Sequence, residues 1–143
     1  MIATTEIRRE LVIKAPRQRV FQYFTDPALM TQWKGRLAVL EPWPGGIYRV
    51  DMDGKNIIAG HYIEVKPPER VVFTFGWQGG GDVPLPAGST TVELDLFPHG
   101  PDGSETRLVL IHRDLPGRLM DVHGRGWDTH LPKLGRVAGQ APG

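Results

Sequence analysis

His112 is the residue best placed to do chemistry. It closes the segment 106–112, in which Leu108, Leu110 and His112 share one face of an alternating pattern. A neutral imidazole on an apolar inner face can orient a ligand's polar group or exchange a proton with it. The same residue can equally be a core histidine, hydrogen-bonded locally where a strand meets a loop. Trp33, Trp43, Trp77 and Trp127 are the largest apolar groups, and each falls near an element end. Such rings either line a pocket for planar or lipid-like molecules or fill the core. Phe75, Tyr48, Leu110 and Leu131 complete the candidate ligand-binding set with His112, Trp77, Trp127 and Trp33. Glu64 shares a face with Gly60 and Tyr62 on a strand whose register the pattern leaves open. Pointing inward, it would gain a raised pKa and pair with His112; pointing outward, it is a solvated charge.

Other chemistries are excluded by what is missing or wrongly spaced. There is no cysteine, which removes disulfides, thiolate metal sites and cysteine nucleophiles. His123 and His130 are two helical turns apart, about 10.5 Å, too far to share one metal ion. Gly79-Gly80-Gly81 is not followed by Gly-Lys-Ser/Thr and is no phosphate loop. Ser89, Thr90, Thr91 and Ser104 belong to no nucleophile elbow. No metal and no cofactor is expected. Seventeen basic and sixteen acidic side chains leave a net charge of +1 with the signs interspersed, which is no nucleic-acid footprint. Charge interrupts the first ten residues before a signal peptide could form, and no apolar run is long enough to span a membrane. A cytoplasmic location is the corresponding expectation.

The elements that position these residues follow from periodicity. Glycine and proline make up about 22% of the 143 residues, against about 12% on average, yet they fall between short periodic segments, as turns do. The length suits one domain, 1–143, able to bury roughly 68–70% of its unfolded surface. Ile7, Leu11 and Ile13 alternate in a first strand. Pro16 opens a short helix carrying Val20, Phe21 and Phe24. Asp26 caps a second at Pro27, with Met30 and Trp33 inward. Strands are expected at 36–41, 47–52, 56–66, 71–77, 90–97 and 106–112, with a two-residue type I′ hairpin at Asp53-Gly54. The loop 78–88 is a candidate flap, or an ordinary variable loop. Met120, His123, Trp127, Leu131, Leu134 and Ala138 recur at helical spacing near the C-terminus. Gly124, Gly126 and Pro132 weaken that helix, and a kink or break is expected near Leu131. The fold class is therefore α+β: a curved antiparallel sheet of six to seven strands gripping one long C-terminal helix, with two short helices after the first strand. The space between sheet and helix is where a small molecule would bind.

A set of short motifs in this order resembles one family. They are Ala15-Pro16 with Val20-Phe21, then Thr25-Asp26-Pro27 and Trp33. Pro44-Gly45-Gly46 with Tyr48-Arg49 follows, then Gly60 and Glu64 ahead of Pro67-Pro68-Glu69-Arg70. Leu108, Leu110, His112, Leu115-Pro116 and Gly126-Trp127 with Leu131 and Leu134 complete the series. Together they are similar to the single-domain homologues of the activator of heat-shock protein 90 ATPase, within the START-like (SRPBCC) superfamily of helix-grip folds. Trp33-Lys34 stands where that family often has two adjacent aromatics. The resemblance implies a hydrophobic cavity between sheet and helix. It implies binding of a small hydrophobic or amphipathic ligand, lipid-like molecules included, and no particular reaction. Two alternatives stay open: a cyclase or dehydratase acting on a polyketide-like or aromatic compound with His112 as acid–base, and a module that contacts a chaperone. A homodimer is also left open.

Overall fold

The computed structural model describes residues 5–78 and 85–140. Strand β1 (Glu6–Ile13) leads into helices α1 (Arg17–Gln22) and α2 (Pro27–Met30). Strands β2 (Leu37–Leu40), β3 (Ile47–Asp51), β4 (Ile57–Lys66), β5 (Arg70–Phe75) and β6 (Trp77–Gln78) follow, then β7 (Thr90–His99) and β8 (Glu105–Arg113). A short 3-10 turn, Gly117–Leu119, opens onto α3 (Met120–Gln140). The fold is α+β, as the periodicity predicts, with eight strands once the two-residue β6 is included. The open antiparallel sheet runs in the order β1-β8-β7-β5-β4-β3-β2, and β6 pairs with β4.

Local chemistry sets several element ends. Asp26 Oδ1 accepts from the backbone N–H of Ala28 at 2.9 Å and of Leu29 at 3.4 Å, and Pro27 occupies the first helical position. The expected two-residue hairpin at Asp53-Gly54 is instead a five-residue loop, 52–56. Asp53 Oδ1 takes the N–H groups of Lys55 at 3.0 Å and Asn56 at 2.7 Å, so a side chain replaces the tight backbone turn. Gly54 alone there has positive φ, +85°. Near the candidate flap, Trp77 N–H donates to Leu85 O at 2.8 Å, and Leu85 is buried. A Cβ on Gly76 would lie 1.8 Å from Pro86 O, so this neck closes only around glycine. Residues 79–84 of that loop lie outside the described residues.

The core forms where the inner sheet face meets α3. Tyr48, Val71, Phe73, Phe75, Val92, Leu94, Leu108 and Leu110 from the strands join Trp127, Leu131, Leu134 and Ala138 from the helix in one buried cluster. Glu64 points outward and pairs with Arg70 at 3.1 Å, in a surface network that also holds Glu93 and Asp95. The expected break near Leu131 does not occur: α3 runs through Pro132 to Gln140. Leu131 and Leu134 are 4% and 0% exposed, and this burial on both sides of the proline outweighs its local cost. Arg9 adds a fork to Asp128, 2.7 and 3.2 Å, tying α3 to β1. Proline still deprives the carbonyl of Asp128 of its helical donor. Pro132→Ala should therefore raise stability by about 1–3 kcal/mol in urea unfolding. A loss of stability would show that the ring's packing matters more than the missing bond.

Candidate functional site

A line of hydrogen bonds crosses from sheet to helix. Trp127 Nε1 donates to His112 Nδ1 at 3.1 Å. Thr90 Oγ1 lies 2.8 Å from His112 Nε2 and 2.6 Å from the carbonyl oxygen of Phe75. An indole N–H can only donate and a carbonyl can only accept. Thr90 therefore donates to Phe75, His112 Nε2–H donates to Thr90, and Nδ1 carries no proton. Both nitrogens of His112 are engaged inside the protein, and an acid–base role would need one of these bonds to break. A second indole repeats the motif. Trp77 Nε1 donates to His123 Nε2 at 3.1 Å, leaving the proton of His123 on Nδ1, which faces Leu119 O at 2.8 Å. Phe75 stands between the two systems, with its ring centroid 4.7 Å from His112 and 5.8 Å from His123.

Lys34 completes the group. The turn after α2 sends two adjacent residues inward: Trp33 N–H and Lys34 N–H both donate to Met30 O, at 3.1 and 2.9 Å. Trp33 is anchored by Nε1–H to Tyr23 O at 3.1 Å. Lys34 is 4% exposed, and its Nζ lies 3.9 Å from the centroid of the Trp127 ring, 5.3 Å from Phe75 and 5.7 Å from Trp33. Nζ makes no hydrogen bond or ion pair among the described residues. Nor is any Asp or Glu among the described residues buried. Burial pushes the amine down to about 7. It also pushes His112 down to about 3, with repulsion from His123 and Lys34 adding to the effect, and lowers His123 in the same direction.

Of the residues expected to bind ligand, this arrangement brings together His112, Trp77, Trp127 and Phe75, with Trp33 joined through Lys34. Tyr48 belongs elsewhere, stacked on Phe73 at 3.8 Å and edge-on to Tyr62. Leu110 and Leu131 are core residues. Trp43 is 56% exposed. Lys34, Thr90 and His123 were not among the expected binding residues. A lysine directly after a buried tryptophan was the one local signal for Lys34, and Thr90 had none. Trp127, Leu131, Leu134 and Ala138 of α3 pack into the core cluster of the inner sheet face. One surface cavity of about 540 Å³ runs over Arg49, Ala59, His61, Thr74 and Gln78. Another, of about 400 Å³, runs over Phe21, Pro42, Val65 and Pro67. Neither is lined by His112, Phe75, Trp127 or Lys34.

Residues 14–139 match the family described as Activator of Hsp90 ATPase homolog 1-like protein. An AHSA1-like protein of Rhizobium etli is 37% identical, with 96% of this chain and 84% of that chain covered and a TM-score of 0.73. DynU16, from the dynemicin biosynthetic locus, is 22% identical with a TM-score of 0.78. The likeness covers 94% of this chain and 47% of that one, so this chain spans about half its length. The Aha1 dimer of Colwellia psychrerythraea is 16% identical over 96% of this chain and 99% of that chain, with a TM-score of 0.79. These last two likenesses show the fold alone. No curated protein matches the chain. No helix among the described residues is long and apolar enough to cross a membrane.

The three buried bases make stability depend on pH in one direction. Unfolded histidine takes up a proton near about 6.5, whereas folded His112 stays neutral to about 3, so stability falls as pH drops through that interval. Folded Lys34 releases its proton near 7 and an unfolded lysine near about 10.4, so stability rises from neutral to alkaline pH. Each base contributes a limiting slope of about 1.4 kcal/mol per pH unit. Urea midpoints should climb on both limbs, and Lys34→Met should flatten the alkaline one. An alkaline limb that is flat in the unmutated protein would mean that the folded state keeps the ammonium.

Proposed function

The chain belongs to the Activator of Hsp90 ATPase homolog 1-like family, and on that premise we propose that it binds a small hydrophobic or amphipathic molecule between the sheet and α3. The observation that carries this reading is the partly exposed Trp77 ring, held to His123 of α3 by a single hydrogen bond across the sheet–helix seam. Behind that bond lie the faces of Phe75 and Trp127 and the amine of Lys34. Large apolar rings with a few convergent polar groups suit a planar, amphipathic guest.

Entry requires the seam to open, and the sequence weakens α3 there. Gly124 and Gly126 follow His123, and each costs about 0.5–1 kcal/mol of helix stability relative to alanine. Lifting this first part of α3 separates His123 from Trp77 and leaves His123 Nε2, Trp77 Nε1 and Lys34 Nζ free to orient a polar group. Affinity then comes from apolar burial, roughly 25 cal/mol per Å² before the cost of association. His112, locked to Trp127 and Thr90, stays behind as the floor of the site.

Native mass spectrometry with an anilinonaphthalene dye tests this. One dye per chain should bind and quench tryptophan emission, and Trp77→Ala should weaken binding. A Cβ at Gly126 meets no atom within 4 Å, so Gly126→Ala stiffens the helix without a clash. It should weaken apparent affinity about 2–5-fold, the equivalent of ~0.5–1 kcal/mol toward the closed helix. No dye uptake, or uptake indifferent to both substitutions, would defeat the proposal.

A further inference from the structure

We propose that Lys34 is a nucleophilic amine, and that the molecule taken up beneath α3 is a small conjugated aldehyde or ketone held as a Schiff base on Nζ; this rests on the ligand-binding reading above. The geometry supports it in two ways. First, the amine is boxed by aromatic faces of Trp33, Phe75 and Trp127. Those walls match a flat, conjugated carbonyl compound better than a hydrated ion. Second, only ring faces offset a permanent charge there: among the described residues no carboxylate is buried and Nζ donates no hydrogen bond. An unpaired ammonium in such a place is costly, whereas a neutral amine is tolerated and reactive.

The other four lysines, Lys14, Lys55, Lys66 and Lys133, are all exposed. Burial leaves a large fraction of Lys34 as free amine at neutral pH. The step balances without an oxidant or reductant. The Nζ lone pair attacks the carbonyl carbon, forming the N–C bond. The C=O π pair moves to oxygen, which takes a proton as nitrogen loses one, giving a carbinolamine. The hydroxyl is then protonated and leaves as water, and loss of the remaining N–H proton closes the C=N bond. The protons exchange with water admitted when the seam opens. No bond of the Thr90–His112–Trp127 line has to break.

Cinnamaldehyde, with sodium cyanoborohydride added to trap the imine, is the probe; cinnamyl alcohol and cinnamate are the controls, read by tryptophan quenching. The expected result is one adduct per chain at about pH 7, mapped by peptide mass spectrometry to Lys34. The preference over any exposed lysine should be on the order of 100-fold. Cinnamyl alcohol should suppress it. Lys34→Met should lose the adduct while its far-UV circular dichroism stays that of the unmutated protein. Adducts spread over the exposed lysines with Lys34 unmodified, while the alcohol still quenches, would overturn the amine chemistry and leave ligand binding standing. Lys34-dependent binding of cinnamate without an aldehyde adduct would replace the Schiff base with an ion pair. Failure of every probe to bind would overturn both proposals.

Discussion

The hydrogen bond from Trp127 to His112 is the contact on which the rest of the interior depends. It spans the gap between the sheet and the one long helix, and it ends a line whose two terminal groups have no choice of role. The carbonyl of Phe75 must accept and the indole of Trp127 must donate, so the protonation of everything between them is settled. A proton added to His112 would set two N–H groups against each other in a site with no acid to receive it. One protonation state thus fixes the depth at which α3 sits. The helix needs such a tether, because its own sequence, with two glycines in the first turns and a proline further on, favours it weakly.

With His112 held neutral to about 3, Lys34 is a buried group whose charge changes at about pH 7. Its neighbours pull in opposite senses. Desolvation favours the free amine, while the electron-rich faces of Trp127 and Phe75 favour the ammonium. An aliphatic residue in its place would make the region ordinary core. A single lysine turns a packed seam into a polarisable one, and it does so beside the glycines that weaken the start of the helix.

Much of the fold is legible in the sequence because it is local. Alternation places β7 and β8, the Asp26-Pro27 pair starts α2, and the Trp127–Leu134 stripe marks the buried side of α3. The candidate site is legible only in part, because its bonds are long-range. His112 and Trp127 are recognisable as inward residues, yet Thr90, 22 residues from His112, gives no sign of pairing with it. Lys34 reads as a surface charge until the turn after α2 is known to bury two consecutive side chains. Pro132 misleads in the opposite direction, since propensity describes an isolated helix and burial of Leu131 and Leu134 overrides it. The loop at Asp53 differs for a smaller reason: an aspartate can satisfy turn amides with its own carboxylate.

The strand order has a bearing on how this chain comes to be folded at all. β1 occupies the sheet edge beside β8, with Glu6 opposite Arg113, so the first strand made finds its neighbour among the last. On a growing polypeptide β1 must wait, unpaired, while β2 to β7 are made, and α3 emerges later still with too little helical preference to form alone. Only when both arrive can Arg9 reach Asp128 and Trp127 reach His112. The domain therefore closes late and cooperatively. During synthesis, its aromatic interior is the stretch most in need of shielding from other chains.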